Sequence, residues 1–172
     1  DHRDLHSFPT RRSSDLAMNE WEFTGDVVVW LNQLIAADPS LPFSKASTEQ
    51  RGTGSQRRRD ITILDRKGNP IVTGEIKLPH RPDGGSPFFP PVVKDALAKA
   101  KRAKVRYFFT WNVNQCVLWD VNEAGRPLLE QKYKTWKIAR VHKPASLQLA
   151  TTRSQIESWL QTFIRELAAL VR

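Results

Sequence analysis

Three residues near the middle of the chain, Asp60, Glu75 and Lys77, have the types and spacing to act together on a phosphodiester. Asp60–Asp65 and Pro70–Lys77 are β-branched runs separated by Arg66-Lys67-Gly68-Asn69, a stretch suited to a hairpin turn. Pairing Asp65 with Pro70 sets Asp60 directly opposite Glu75, where facing side chains have Cβ atoms roughly 4.5–5.5 Å apart. Two carboxylates at that spacing suit a shared hard divalent cation. The period of two along a strand brings the Lys77 ammonium to the face that carries Glu75. A cation held by two acids beside an ammonium can generate a nucleophilic water and stabilise charge on a phosphate.

An acid two residues before a lysine is common, so the strands that carry it must supply the specificity. The chain holds two more such triplets, Asp65-Arg66-Lys67 and Glu130-Gln131-Lys132. The first lies in the hairpin turn. For the second, a turn at Asn122–Gly125 pairing Val121 with Arg126 sets Asp120 opposite Pro127, out of phase with Glu130. A solvated hairpin bearing unrelated charges is the alternative for Asp60 and Glu75. Ile61, Ile63, Leu64, Ile71, Val72 and Ile76 argue against it, because apolar residues on both faces imply a buried sheet.

Asp60 followed by Glu75-Ile76-Lys77 resembles the PD-(D/E)xK nuclease superfamily, from about Asn19 to Asp120, with Arg59 where the pattern has proline. The resemblance implies an α/β fold, the restriction-endonuclease-like mixed central β-sheet flanked by α-helices. It implies a Mg²⁺-dependent DNA endonuclease, with Mn²⁺ as a substitute. Asp60 and Glu75 would bind the metal, with the Ile76 backbone carbonyl as a further ligand. Lys77 would orient or help deprotonate the attacking water. Tyr107-Phe108-Phe109-Thr110-Trp111-Asn112 followed by Val117-Leu118-Trp119-Asp120 is similar to amino-terminal nuclease domains fused to adenine-specific DNA methylases. That likeness implies a restriction–modification protein with a fused or associated methylase domain. This chain itself carries no Gly-rich methyl-donor motif and no nucleotide-binding loop.

Composition sets the outer bounds. A length of 172 residues with 40% hydrophobic content is enough for one domain with a sizeable core. No apolar run approaches the roughly 20 residues of a membrane span, so the expected location is the cytoplasm. The lone Cys116 excludes an intrachain disulfide and a cysteine-rich zinc site. A net charge of +9 favours a polyanionic partner, DNA first. Arg57, Arg58 and Arg59 stand at the mouth of the expected site as phosphate contacts, and Lys94 and Lys101 are expected to add to them.

Residues 1–16 read as a translated sequencing-library adapter, and their three acids and three arginines cancel. Only His80 and His142 lie beyond them, which disfavours a histidine-based nuclease. A nuclease-like domain is expected over 17–150. A carboxy-terminal helix over 151–172 is expected to lead into a missing downstream domain.

Within this frame a first helix runs from Thr24 or Gly25 to Ala37, followed by loop at Pro39–Phe43 and a polar connector over Ser44–Gln56. Glu20, Glu22 or Asp26 could lend the site a further acid, as could Glu49 from the connector. Pro79–Pro91 is loop, a flap or DNA contact beside the site or plain surface, with His80 in it. A second helix spans Pro91–Lys104, strands follow at Val105–Trp111 and Cys116–Val121, and another β segment lies near Tyr133–Ile138. The aromatics of these strands suit a core better than a base-stacking platform. Ser154-Gln155-Ile156-Glu157 fits a capping box that starts the final helix. Two rivals to cleavage stay open: a nuclease-like module that binds DNA without cutting, and a structural basic domain whose hairpin acids pair with Arg57–Arg59.

Overall fold

The computed structural model describes residues 18–48 and 61–172. Six strands form one sheet in chain order: β1 (Phe43–Thr48), β2 (Ile61–Asp65), β3 (Pro70–Ile76), β4 (Tyr107–Trp111), β5 (Gln115–Asp120) and β6 (Lys132–Lys137). Neighbours are antiparallel except β3 and β4, which run parallel. Antiparallel neighbours can be joined by a turn, whereas a parallel pair needs a crossover, here α2 (Pro90–Ala103). Helices α1 (Glu20–Ala37) and α4 (Ala150–Val171) pack with one face of the sheet in a single large core, and α2 packs on the other. This is the mixed α/β sheet with flanking helices expected from the sequence.

Alternation along β3 decides which residues meet which helix. Val72 and Ile76 enter the core shared with α1 and α4. Glu75 turns to the opposite face, where Lys99 of α2 meets it. The expected aromatic core holds: Phe108, Phe109, Trp111 and Trp119 are all buried. Trp111 packs on Phe23 of α1 at 5.4 Å and on Trp159 of α4 at 4.8 Å between ring centroids. Cys116 lies in the same core, and burial pushes its thiol pKa well up.

The β2–β3 turn is closed by Asp65, whose Oδ1 accepts from the Lys67 and Asn69 N–H groups at 2.8 Å each. Gly68 supplies the positive φ of 84° that the turn requires. Near the turn the register departs from expectation, since Pro70 faces Leu64 rather than Asp65. The shift is absorbed by an irregularity between Ile63 and Leu64, and beyond it Ile61 faces Gly74. The expected register is thus recovered at the end of the hairpin next to Glu75.

Four boundaries differ from the sequence reading. Helix α1 starts at Glu20, because Asn19 and Glu22 form a reciprocal capping box ahead of the apolar stripe. Phe43–Thr48 is a strand, not loop and connector; its edge is tied down by Asn32, whose amide exchanges hydrogen bonds with the Ala46 backbone at 2.7 and 3.0 Å. No hairpin pairs Val121 with Arg126: a 3-10 turn at Val121–Glu123 and the short helix α3 (Leu128–Gln131) make the connection, and Asp120 instead accepts from the Asn122 N–H and pairs with Arg106. Helix α4 starts at Ala150, so Ser154 lies inside it rather than at its cap.

Gly74 makes room for the Phe109 side chain of β4, since a methyl group there would fall within its ring. Phe109 cannot retreat freely, because Phe163 of α4 lies edge-on against it at 5.2 Å. Gly74→Ala should therefore destabilise the protein by about 1–3 kcal/mol, the usual cost of overpacking, read as a lowered urea midpoint.

Candidate active site

Glu75 and Lys77 lie at the carboxy-terminal end of β3, with relative exposures of 3% and 6%. The Lys77 N–H donates to the Trp111 carbonyl at 2.9 Å, fixing this end of the strand to β4. Ile76 between them buries its side chain in the opposite core, so only its backbone remains to serve the site. The Lys77 Nζ lies 3.2 Å from Glu75 Oε1, 3.5 Å from Glu20 Oε1 and 3.6 Å from Asp83 Oδ2. Glu75 Oε2 accepts from Lys99 Nζ at 2.6 Å, and the same ammonium lies 3.0 Å from Asp95.

The two ammonium groups thus meet four carboxylates, one of which, Asp83, also lies 3.9 Å from the Arg81 guanidinium. Burial alone would drive the Lys77 pKa down, because it disfavours the charged form. Glu75, Glu20 and Asp83 outweigh it and hold the pKa above the ordinary lysine value. That balance favours the charged form of Lys77.

Loops and strands around the pair are held by buried polar contacts. Thr110 Oγ1 donates to the Pro87 carbonyl at 2.7 Å, and the Trp119 indole N–H donates to Thr110 at 2.9 Å. Asn112 reaches the Gly84 carbonyl at 3.0 Å. A side chain on Gly84 would strike the Leu78 backbone, so glycine is required there for the segment bearing Asp83 to fold back on the strand end. The segment after Lys77 is thereby anchored at two points, with His80 exposed on its surface.

The other residues singled out in the sequence are placed as follows. Asp60, Arg57, Arg58, Arg59 and Glu49 lie outside the described residues. Glu22 is spent on the α1 capping box with Asn19, and Asp26 pairs with Arg153 of α4 at 3.3 Å. Glu20 is the first-helix acid that reaches Lys77. Lys94 and Lys101 are exposed on α2, while Lys99 points inward. Glu130 is exposed on α3, away from any acid pair of its own. Lys99 was legible in principle: it flanks the apolar stripe Val92, Val93, Ala96 and Ala100, and Asp95 stands four residues before it.

The donors gathered around Lys77 and Lys99 are all carboxylate oxygens, the chemistry of a hard divalent cation. Among the described residues, no three His, Cys, Asp or Glu side chains are gathered tightly enough to hold a metal ion by themselves. Two clefts, about 760 and 590 Å³, lie where β6 ends beside the start of α4, and neither is lined by a carboxylate.

Comparison of the fold places this site in context. The chain is similar to the type IIG restriction endonuclease BpuSI, with a TM-score of 0.57 and 13% identity over 84% of this chain. It also aligns, with a TM-score of 0.38 and 17% identity over 82% of this chain, with a fragment of a putative HsdR subunit of a type I restriction enzyme from Vibrio vulnificus YJ016. The chain spans 16% and 26% of the lengths of those two proteins. No protein-family model matches the chain, and no curated protein matches it either. The fold is restriction-endonuclease-like: a mixed six-stranded sheet flanked by helices. Among the described residues no helix is long and apolar enough to cross a membrane.

Proposed function

We propose that the chain is a Mg²⁺-dependent DNA endonuclease domain of a restriction–modification protein, hydrolysing phosphodiester bonds. The observation that carries this reading is the Glu75-Ile76-Lys77 segment. It ends a central strand with both charged side chains buried on one face of a restriction-endonuclease-like sheet. Burying charge is costly, and a solvated hairpin would not require it.

Asp60 and Glu75 would hold the cation, with the Ile76 carbonyl as a further ligand. A bound Mg²⁺ supplies Lewis acidity and a water acidified toward neutral pH. Lys77, paired with three carboxylates, would orient or help deprotonate that water and stabilise the charge developing on the phosphate oxygens. Arg57–Arg59, with Lys94 and Lys101 on the exposed side of α2, would track the DNA backbone.

The test is nicking of supercoiled plasmid by the Met18–Arg172 chain in Mg²⁺, in EDTA, and by Glu75→Ala in Mg²⁺. Nicking by the parent that disappears both with EDTA and in the variant is the expected result. Equal cutting by parent and variant would remove Glu75 from the chemistry. Salt-sensitive DNA binding without nicking would favour the non-cleaving module. Neither cutting nor salt-sensitive binding would end the nucleic-acid reading.

A further inference from the structure

We infer that the trough where β6 ends beside the start of α4 is a second seat for the nucleic-acid backbone, holding a phosphate of the strand away from the cleavage position. The inference rests on the proposed DNA-directed reading of the chain, but it needs neither a metal ion nor cleavage. The two clefts there share Lys137, Ile138 and Gln155, so they adjoin as one surface. Lys137 and Arg140 bring positive charge to it, and neither is paired with a carboxylate among the described residues. A phosphate entering the trough therefore meets cations and no anion.

Helix α4 adds donors of its own. Its first N–H groups have no intrahelical acceptor, Leu149 before it gives no side-chain cap, and no acid stands in its first turn. A helix start left in that state favours an anion. Thr151, Ser154 and Ser158 line the same cleft and carry hydroxyl groups that can donate to one. A separate observation points to a ligand. Trp159, only 8% exposed, also lines this cleft, and its indole N–H has no acceptor among the described residues. A buried indole N–H ordinarily has one, and a phosphate oxygen is an acceptor of the right kind.

Strand register relates the trough to Glu75. Lys137 faces Gln115, the next residue Cys116 faces Trp111, and Trp111 faces Ile76, the residue before Lys77. The trough thus lies at the same end of the sheet as Lys77, three strands away, or roughly 14 Å at about 4.8 Å per strand. The β4–β5 turn ties the two together. Asn112 holds the Gly84 carbonyl at 3.0 Å, next to Asp83, and Asn114 exchanges hydrogen bonds with the Val141 backbone at 2.6 and 2.8 Å, next to Arg140. A nucleic-acid strand running from the Glu75 site along this end of the sheet would meet the trough.

The test is fluorescence anisotropy of a labelled DNA duplex with the full chain, over a range of salt and without divalent cations. The Lys137→Ala/Arg140→Ala double variant should bind more weakly, with a log–log salt slope shallower by about 1.8, the release expected for two phosphate contacts. Lys132→Ala, at the other end of β6, should leave affinity and slope near the parent's. Thr151→Glu adds an acid to the first turn of α4, so the melting temperature should hold or rise while DNA binding falls. Salt-sensitive binding by the parent that is unmoved in the trough variants would overturn the seat and leave the DNA reading standing. An equal loss in Lys132→Ala would overturn it as well, because net charge alone would then account for the effect. Calorimetry with inorganic phosphate separates the remaining case. Phosphate that binds the parent but not Thr151→Glu, with DNA binding unchanged in the variants, would make the trough a site for a free anion and overturn the backbone assignment. No DNA binding by any of the proteins would remove the DNA reading and the seat together.

Discussion

Lys77→Ala is expected to lower plasmid nicking by roughly 10²–10³-fold, the loss typical of one preorganised donor to transition-state charge. The protein should remain folded, because Glu75 keeps the Lys99 ammonium at 2.6 Å and is not left as an unpaired buried charge. Glu20 and Asp83, the other partners of Lys77, are partly exposed and can be hydrated. A melt close to that of the parent together with lost nicking therefore locates the defect in the chemistry. Equal nicking by parent and variant would sink the assignment of Lys77.

The same geometry fixes the pH behaviour. The folded-state pKa of Lys77 is raised, so the stability it contributes is fully present below the ordinary lysine value of 10.5. That contribution is lost only as pH rises through the higher folded value. Thermal melts of the parent in the absence of divalent cations should accordingly show no step assignable to Lys77 between pH 7 and 9. A step in that window that vanishes in Lys77→Ala would overturn the raised value.

Much of this arrangement was readable from periodicity, and the exceptions share a cause. The β2–β3 hairpin, α2 and the strand pair β4–β5 declare themselves because their burial is strong and regular. Strand β1 does not: Phe43-Ser44-Lys45-Ala46-Ser47-Thr48 buries only Phe43 and Ala46. Its strand character comes from β2 and from the Asn32 amide, neither of which is local in sequence. At α4 the local signal misleads. Ser154 and Glu157 have the spacing of a cap, but Thr152 is already buried in the preceding turn and extends the helix back to Ala150. At the site, strand alternation is enough to pair Glu75 with Lys77. Choosing Lys99 over Lys94 and Lys101, or Glu20 over Glu22, depends on how α2 and α1 are rotated against the sheet. That rotation is set by packing, and only its outline is carried by the apolar stripes.

The largest expected effect on stability comes from removing α4. Ending the chain at Leu149 should leave it unfolded at 25 °C, although the deleted segment contains none of the residues assigned to chemistry. Ile156, Trp159, Leu160, Phe163, Ile164 and Leu167 are buried in the same core as α1 and the sheet. At roughly 1.5–3 kcal/mol for each large side chain, their loss removes about 10 kcal/mol or more of burial. That matches the whole stability of a typical domain, about 5–15 kcal/mol. The loss is concentrated where it matters for the site. Trp159 and Phe163 pack with their ring centroids 4.8 Å apart and touch Trp111 and Phe109, the residues of β4 that flank Thr110 opposite Glu75. Without them the inner face of β4 is exposed to water, and the parallel pairing that aligns Glu75 and Lys77 loses its support. Circular dichroism and a urea titration of the truncated chain would read this directly. A cooperative transition near that of the parent would show that α4 is an appendage to the nuclease-like domain rather than part of its core. Loss of the transition would show that the helix belongs to the unit that positions the Glu75 site.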